Sequence, residues 1–170
     1  MNTIAQTQLL KSIRIWILVF IVFLALSGIT AFPLETELSF LNDNKSALPQ
    51  FCQKWIEKVF LAVAATNASY PFLSYGTDWL AFAHIVIATV FIGPYKDPVR
   101  NIWVIQFGMI ACLMVLPLAF IAGSIRGIPF YWQLIDCSFG VLGILPLRLV
   151  YNKIKKMENS TVHPQQGRGF

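Results

Sequence analysis

Four stretches of the chain are apolar for long enough to cross a membrane, and polar residues gather at their ends. A helix rises about 1.5 Å per residue, so roughly 20 apolar residues cover the ~30 Å hydrocarbon core of a bilayer. Ile15 to Phe32 is free of charge and almost entirely Ile, Leu, Val, Phe and Ala. Trp79 to Tyr95 holds a single histidine, Ile102 to Ile125 carries no charge, and Pro129 to Leu147 carries one acid, Asp136. The pattern predicts spanning helices over about 13–32, 79–95, 102–124 and 129–149. Lys11 and Arg14 ahead of the first run also describe a secretory signal peptide, with Ile29-Thr30-Ala31 as its cleavage site. The run is longer than the usual ~7–15-residue signal core. A retained first span is therefore expected.

The long connection between the first and second spans has a different period. Phe51, Cys52, Trp55, Ile56, Val59, Phe60 and Val63 recur at three-and-four spacing, with Gln53, Lys54, Glu57 and Lys58 on the opposite face. This predicts an amphipathic helix over about 49–64 with Pro49 at its first turn. It is too short and too charged to span, so it is expected to lie in the outer interface or to cover the bundle mouth as a lid. Residues 68–76 (ASYPFLSYG) read as a loop pressed against the membrane by Tyr70, Phe72 and Tyr75. The other connections are short. Gly-Pro-Tyr-Lys-Asp-Pro at 93–98 is expected to stop the second helix, because each proline disfavours helix in the residue before it. A hairpin over 123–129 joins the last two spans, so spans two to four pack as antiparallel neighbours. No internal repeat is visible. The chain reads as all-α: a four-helix membrane bundle over residues 1–156, with an interfacial helix between its first two spans and a disordered tail over 157–170.

Composition supports this and closes other routes. Hydrophobic residues make up 56% of the 170 and charged residues 12%, about half the ~25% typical of soluble domains. That excludes a disordered chain, a coiled coil and almost any water-soluble enzyme. The net charge of +5 is a topology signal rather than a nucleic-acid surface, because the basic residues sit at the ends of apolar runs. Lys11, Arg14, Lys96, Arg100, Arg148, Lys153, Lys155, Lys156 and Arg168 fall on one side of a four-span layout. Lys45, Lys54, Lys58 and Arg126 fall on the other. Both termini are thus expected in the cytoplasm of a multi-pass protein, in a bacterial inner membrane or a eukaryotic endomembrane alike. Trp16, Tyr95, Trp103 and Tyr151 would mark the inner interface, and Tyr75, Trp79, Tyr131 and Trp132 the outer one.

Polar groups inside spans are costly and should face the bundle or a wet cavity. His84 shares a face with Ala81 and Ala88, and Asp136 shares one with Gln133, Gly140 and Gly143. Small residues mark faces where membrane helices approach. His84 lies five residues below Trp79, about 7–8 Å, and Asp136 four below Trp132, about 6 Å. At matching depth the imidazole and carboxylate are expected to meet, as an acid–base pair or as a lock between two helices. Ser27, Thr30, Gln133, Trp132 and Arg126 lie at or above this level and are the candidate ligand-binding residues of an outward-opening pocket. Pro117 of the third span would free the Leu113 carbonyl nearby. Asp78 reads as a helix cap, and Glu35 and Glu37 as exposed loop acids able to bend over the pocket.

Cys52, Cys112 and Cys137 form no CxxC pair and no Cys/His cluster at ligand spacing, so no disulfide framework and no metal site is expected. No haem or other cofactor is expected either, since His84 is the one histidine within a span. The sequons Asn67-Ala-Ser and Asn159-Ser-Thr carry meaning only in a secretory eukaryotic chain. In layout, with four spans, a long first outer segment and buried acid and imidazole groups, the chain resembles the sterol-isomerase and sigma-2-receptor family. The resemblance is one of arrangement and assigns no residue. Two functions fit these features. One is a non-catalytic membrane protein, either a complex subunit with a protein partner or second copy, or a binder of an apolar, lipid-like ligand. The other is a membrane-embedded isomerase- or transferase-like enzyme acting on a lipid or sterol-like substrate through His84 and Asp136.

Overall fold

The computed structural model describes residues 3–162, and these form helices joined by short turns, with no strand among the described residues. In order they are α1 (Thr3–Ala31), α2 (Leu34–Asp43), α3 (Gln50–Ser69), α4 (Tyr75–Val90), α5 (Ile92–Lys96), α6 (Ile102–Ile125) and α7 (Phe130–Val162), with 3₁₀ turns at Lys45–Ala47 and Pro71–Ser74. Four stretches are helical, long and apolar enough to cross a membrane: Ile4–Ala31, Pro71–Lys96, Ile102–Ile125 and Phe130–Ser160. They correspond to the four apolar runs.

The differences from expectation lie at the ends of the runs. α1 begins ten residues before the expected span, at Thr3, and α7 runs on to Val162. Residues 157–162 of the expected tail are therefore helical, and the rest of that tail lies outside the described residues. A helix does not stop where its apolar run stops. Lys155 donates to Glu158 at 2.8 Å across one turn of this extension, and Ile154 within it is fully buried. The second span ends at Lys96, within the 93–98 segment expected to stop it, and α5 carries the helix past Gly93 and Pro94. Pro94 falls in the first turn of α5, where its missing N–H has no intrahelical partner to lose. The stop comes from Pro98, whose predecessor Asp97 is extended at φ −133°, ψ 90°. The expected loop at 68–76 is also short of loop, being the end of α3, a 3₁₀ turn and the start of α4.

The chain divides into two compact units: one comprises the chain up to Val22 and from Thr89 onward, the other Phe23–Ala88. In the first, α6 and α7 form a closely packed hairpin. A Cβ on Gly140 would stand 2.6 Å from the Cys112 carbonyl oxygen, and one on Gly123 would stand 2.8 Å from Gln133 Cγ. Glycine at these positions lets the helices come within backbone distance, which is how membrane helices gain packing energy when lipid is as apolar as their side chains. The first half of α1 joins them: Phe20 meets Phe91 at 4.7 Å between ring centroids, and Lys153 Nζ donates to Ser12 Oγ at 2.5 Å. Ile13, Ile17, Phe91, Ile105 and Leu147 form the buried core of this unit. Arg14 closes the end of α5, with Nε donating to the Tyr95 carbonyl at 3.1 Å and Nη2 to that of Lys96 at 3.3 Å.

In the second unit, Gly28 of α1 packs on α4, where a Cβ would stand 2.6 Å from the Ala81 carbonyl oxygen. α2 and α3 are held by polar contacts. Lys45 pairs with Glu57 at 2.9 Å, and Asn67 Nδ2 donates to Glu35 Oε2 at 2.6 Å. On α3, Ile56 is buried, while Lys54, Glu57 and Lys58 are exposed.

Candidate functional site

The hairpin between α6 and α7 builds its geometry from the backbone outward. α6 ends at Ile125 with Arg126 as its C-cap, and Gly127 follows at φ 68°, a conformation that L side chains rarely adopt. The Ile128 N–H donates to the Gly123 carbonyl at 2.9 Å and the Gly127 N–H to that of Ser124 at 3.3 Å. These two bonds make a Schellman motif, which satisfies carbonyls left open at the helix end. Pro129 then starts α7 by accepting from the N–H groups of Trp132 and Gln133 at 2.9 and 3.1 Å. Gln133, 4% exposed, donates its side-chain amide to the Ile128 carbonyl at 2.8 Å. Its tip therefore fastens the turn from below.

One turn further along α7, Asp136 opens onto a groove of about 300 Å3. Its walls are Val115, Leu118, Ala119 and Ala122 of α6 with Gly123 and Ile128 of the hairpin, and Arg126 is its cation. Among the described residues neither the Asp136 carboxylate nor the Arg126 guanidinium has a hydrogen-bond or ion-pair partner. An apolar trough with one acid and one base at its edges suits an amphiphile with a charged end. Of the residues expected in a pocket, the structure brings Asp136 and Arg126 together here, while Gln133 supports the turn next to them. Trp132, half-buried on α7, is not among the lining residues.

The remaining candidates belong to the other unit. His84 is half-buried on α4, and its Nδ1 lies 2.8 Å from the Leu80 carbonyl oxygen. A carbonyl can only accept, so this contact calls for a proton on Nδ1. Ala81 and Ala88 on the same face are buried, as small residues at a helix approach should be. Ser27 and Thr30 are exposed, and Thr30 Oγ1 donates back to the Ser27 carbonyl at 3.4 Å. His84 and Asp136 thus fall in different units.

This unit has a cavity of its own, of about 260 Å3, that the sequence reading missed. Glu35, Thr36, Asn67, Ser74, Thr77 and Asp78 supply its polar lining and Phe32, Pro33, Leu34 and Val63 its apolar one. Asn67 is the hub, donating to Glu35 and accepting from the Ser74 hydroxyl. Asp78 sits in the first turn of α4 rather than at its cap, because the helix begins at Tyr75. Glu35 is held by Asn67 instead of lying free in a loop, and Glu37 is exposed. Among the described residues no three His, Cys, Asp or Glu side chains gather closely enough to hold a metal ion.

The α6 residues of the groove carry a signal that sequence reading passed over: Val115, Ala119, Ala122 and Arg126 recur at four-three-four spacing and so share one helix face. The sequence matches no protein-family model, and neither a curated protein nor a solved structure matches it.

Proposed function

We propose that this is a small multi-pass membrane protein that binds a lipid-like amphiphile, without transforming it, in the groove between α6 and α7 on the outer side of the membrane. One observation carries the reading: Asp136, within a long apolar helix, opens together with Arg126 onto a groove whose other walls are apolar. An ionisable group in a span is expensive and marks a wet cavity or a ligand path. The Lys and Arg distribution supports cytoplasmic termini, which puts the Arg126 hairpin outside and α3 in the outer interface. Thiol labelling of Ser46→Cys and Ser160→Cys in sealed vesicles tests that topology, and labelling of both from one face would break it.

The groove itself is tested by native mass spectrometry of the purified protein. Wild type should retain lipid in stoichiometric amount, and Ala122→Trp, which fills the groove, should lose it. A stoichiometric protein partner with no bound lipid would instead favour a complex subunit.

A further inference from the structure

Within the reading just proposed, the order of the two charges along the groove narrows the ligand. The contacts of Gly123 with Gln133 and of Gly140 with Cys112 set the register of the hairpin, so Asp136 stands about level with Ala119. Arg126 is seven residues further along α6, about two turns nearer the hairpin. Its long side chain reaches back to line the same groove. The cation is therefore the outer group and the carboxylate the inner one.

We infer that the groove selects a phosphorylated long-chain amine, a lipid whose phosphate is outermost and whose ammonium lies between phosphate and chain, with phosphate on Arg126 and ammonium on Asp136. The inference rests on the groove being the lipid site. Guanidinium presents a planar fork of donors that suits a phosphate. An ionised carboxylate only accepts, so it calls for a donor, and a primary ammonium brings three where a quaternary one brings none. A common glycerophospholipid with an amine-bearing head has the opposite order, its amine beyond its phosphate, and would set the wrong end against each residue. A purely anionic head satisfies Arg126 and leaves Asp136 unanswered, and a neutral lipid leaves both. Val115, Leu118, Ala119 and Ala122 then receive the first part of the chain. At about 300 Å3 the groove holds a head group and the start of a chain, with the remainder in the bilayer.

The full chain in phosphatidylcholine nanodiscs tests this with three probes of equal chain length: sphinganine phosphate, sphinganine and octadecyl phosphate. Sphinganine phosphate is expected to bind at least roughly tenfold tighter than either single-group probe. Asp136→Asn should reduce it to the affinity of octadecyl phosphate, and Arg126→Gln to that of sphinganine. The wild-type comparison decides even if a variant fails to fold. Equal binding of the three probes, with loss of all in Ala122→Trp, overturns the head-group inference and leaves the lipid site standing. Absence of binding by every probe, together with unlipidated protein in native mass spectrometry, overturns both. Competition by phosphatidylethanolamine as strong as by sphinganine phosphate shows that the order of charges is not read, and also overturns the inference.

Discussion

The α6–α7 hairpin and the segment from α2 to the 3₁₀ turn at Pro71–Ser74 are fastened by different forces. In the hairpin, glycines bring backbones and side chains within contact distance, and the turn is closed by main-chain bonds to Gly123 and Ser124. The α2–α3 segment relies on side-chain polar contacts: Lys45 with Glu57 and Asn42, Asn67 with Glu35, Ser74 with Asn67. The contrast is what the proposed topology requires of each sequence. Between apolar helices in lipid there is no hydrophobic gain from pairing, so close fit has to supply it. Where charged faces meet water, long side chains can pair, at small individual gain. The first kind of fastening tolerates almost no added atom. The second tolerates most changes.

That contrast is sharpest at Gly140. Gly140→Ala places a methyl 2.6 Å from a backbone oxygen that cannot rotate away, so the hairpin must part. The expected loss is about 1–3 kcal/mol, read from reversible unfolding in mixed micelles. Gly76→Ala, with nothing within 4 Å of the new Cβ, is its control and should be neutral or slightly stabilising. A neutral Gly140→Ala would mean that the close approach is not what holds the hairpin. Next comes Gly127→Ala, which forces an alanine to φ 68°. It should cost about 1–2 kcal/mol, seen as a lower Tm, and it should also weaken retention of any groove ligand, because Arg126 precedes the turn. Smallest is Lys45→Ala. It removes a half-exposed ion pair with Glu57 and should cost at most about 1 kcal/mol, vanishing at high salt. A larger or salt-independent effect would erase the distinction between the two regions.

Hydropathy alone located the four helices long and apolar enough to cross a membrane, because a run of about that length with at most one charge has few other uses. It misjudged their ends for the same reason: the scale sees lipid, and a helix can continue into water on its own hydrogen bonds. α2 was missed because Glu35 and Glu37 read as acids of a long loop, although Leu34, Leu38 and Leu41 recur at helical spacing and the two acids favour a helix N-terminus. At the site, Asp136 and Arg126 were each legible as residues of an outward-opening pocket, but the groove between α6 and α7 that both line was not. It depends on the tight turn at Gly127 and on the stripe of small residues from Val115 to Ala122, and hydropathy scores neither as polar. The cavity around Asn67 was less legible still, since it joins residues 32 positions apart through one amide.

The bond from Arg14 to the Lys96 carbonyl has a consequence for how the protein is made. Its two ends are 82 residues apart. At ~5–20 residues per second a ribosome needs roughly 4–16 s to deliver the acceptor after the donor has been synthesised. Throughout that interval the guanidinium has no Lys96 carbonyl to bind, and water, lipid phosphates or the insertion machinery must serve in its place. The bond forms only once the second long helix has been built. A nascent chain halted before Lys96 should therefore leave Arg14 open to a crosslinker that the finished protein excludes.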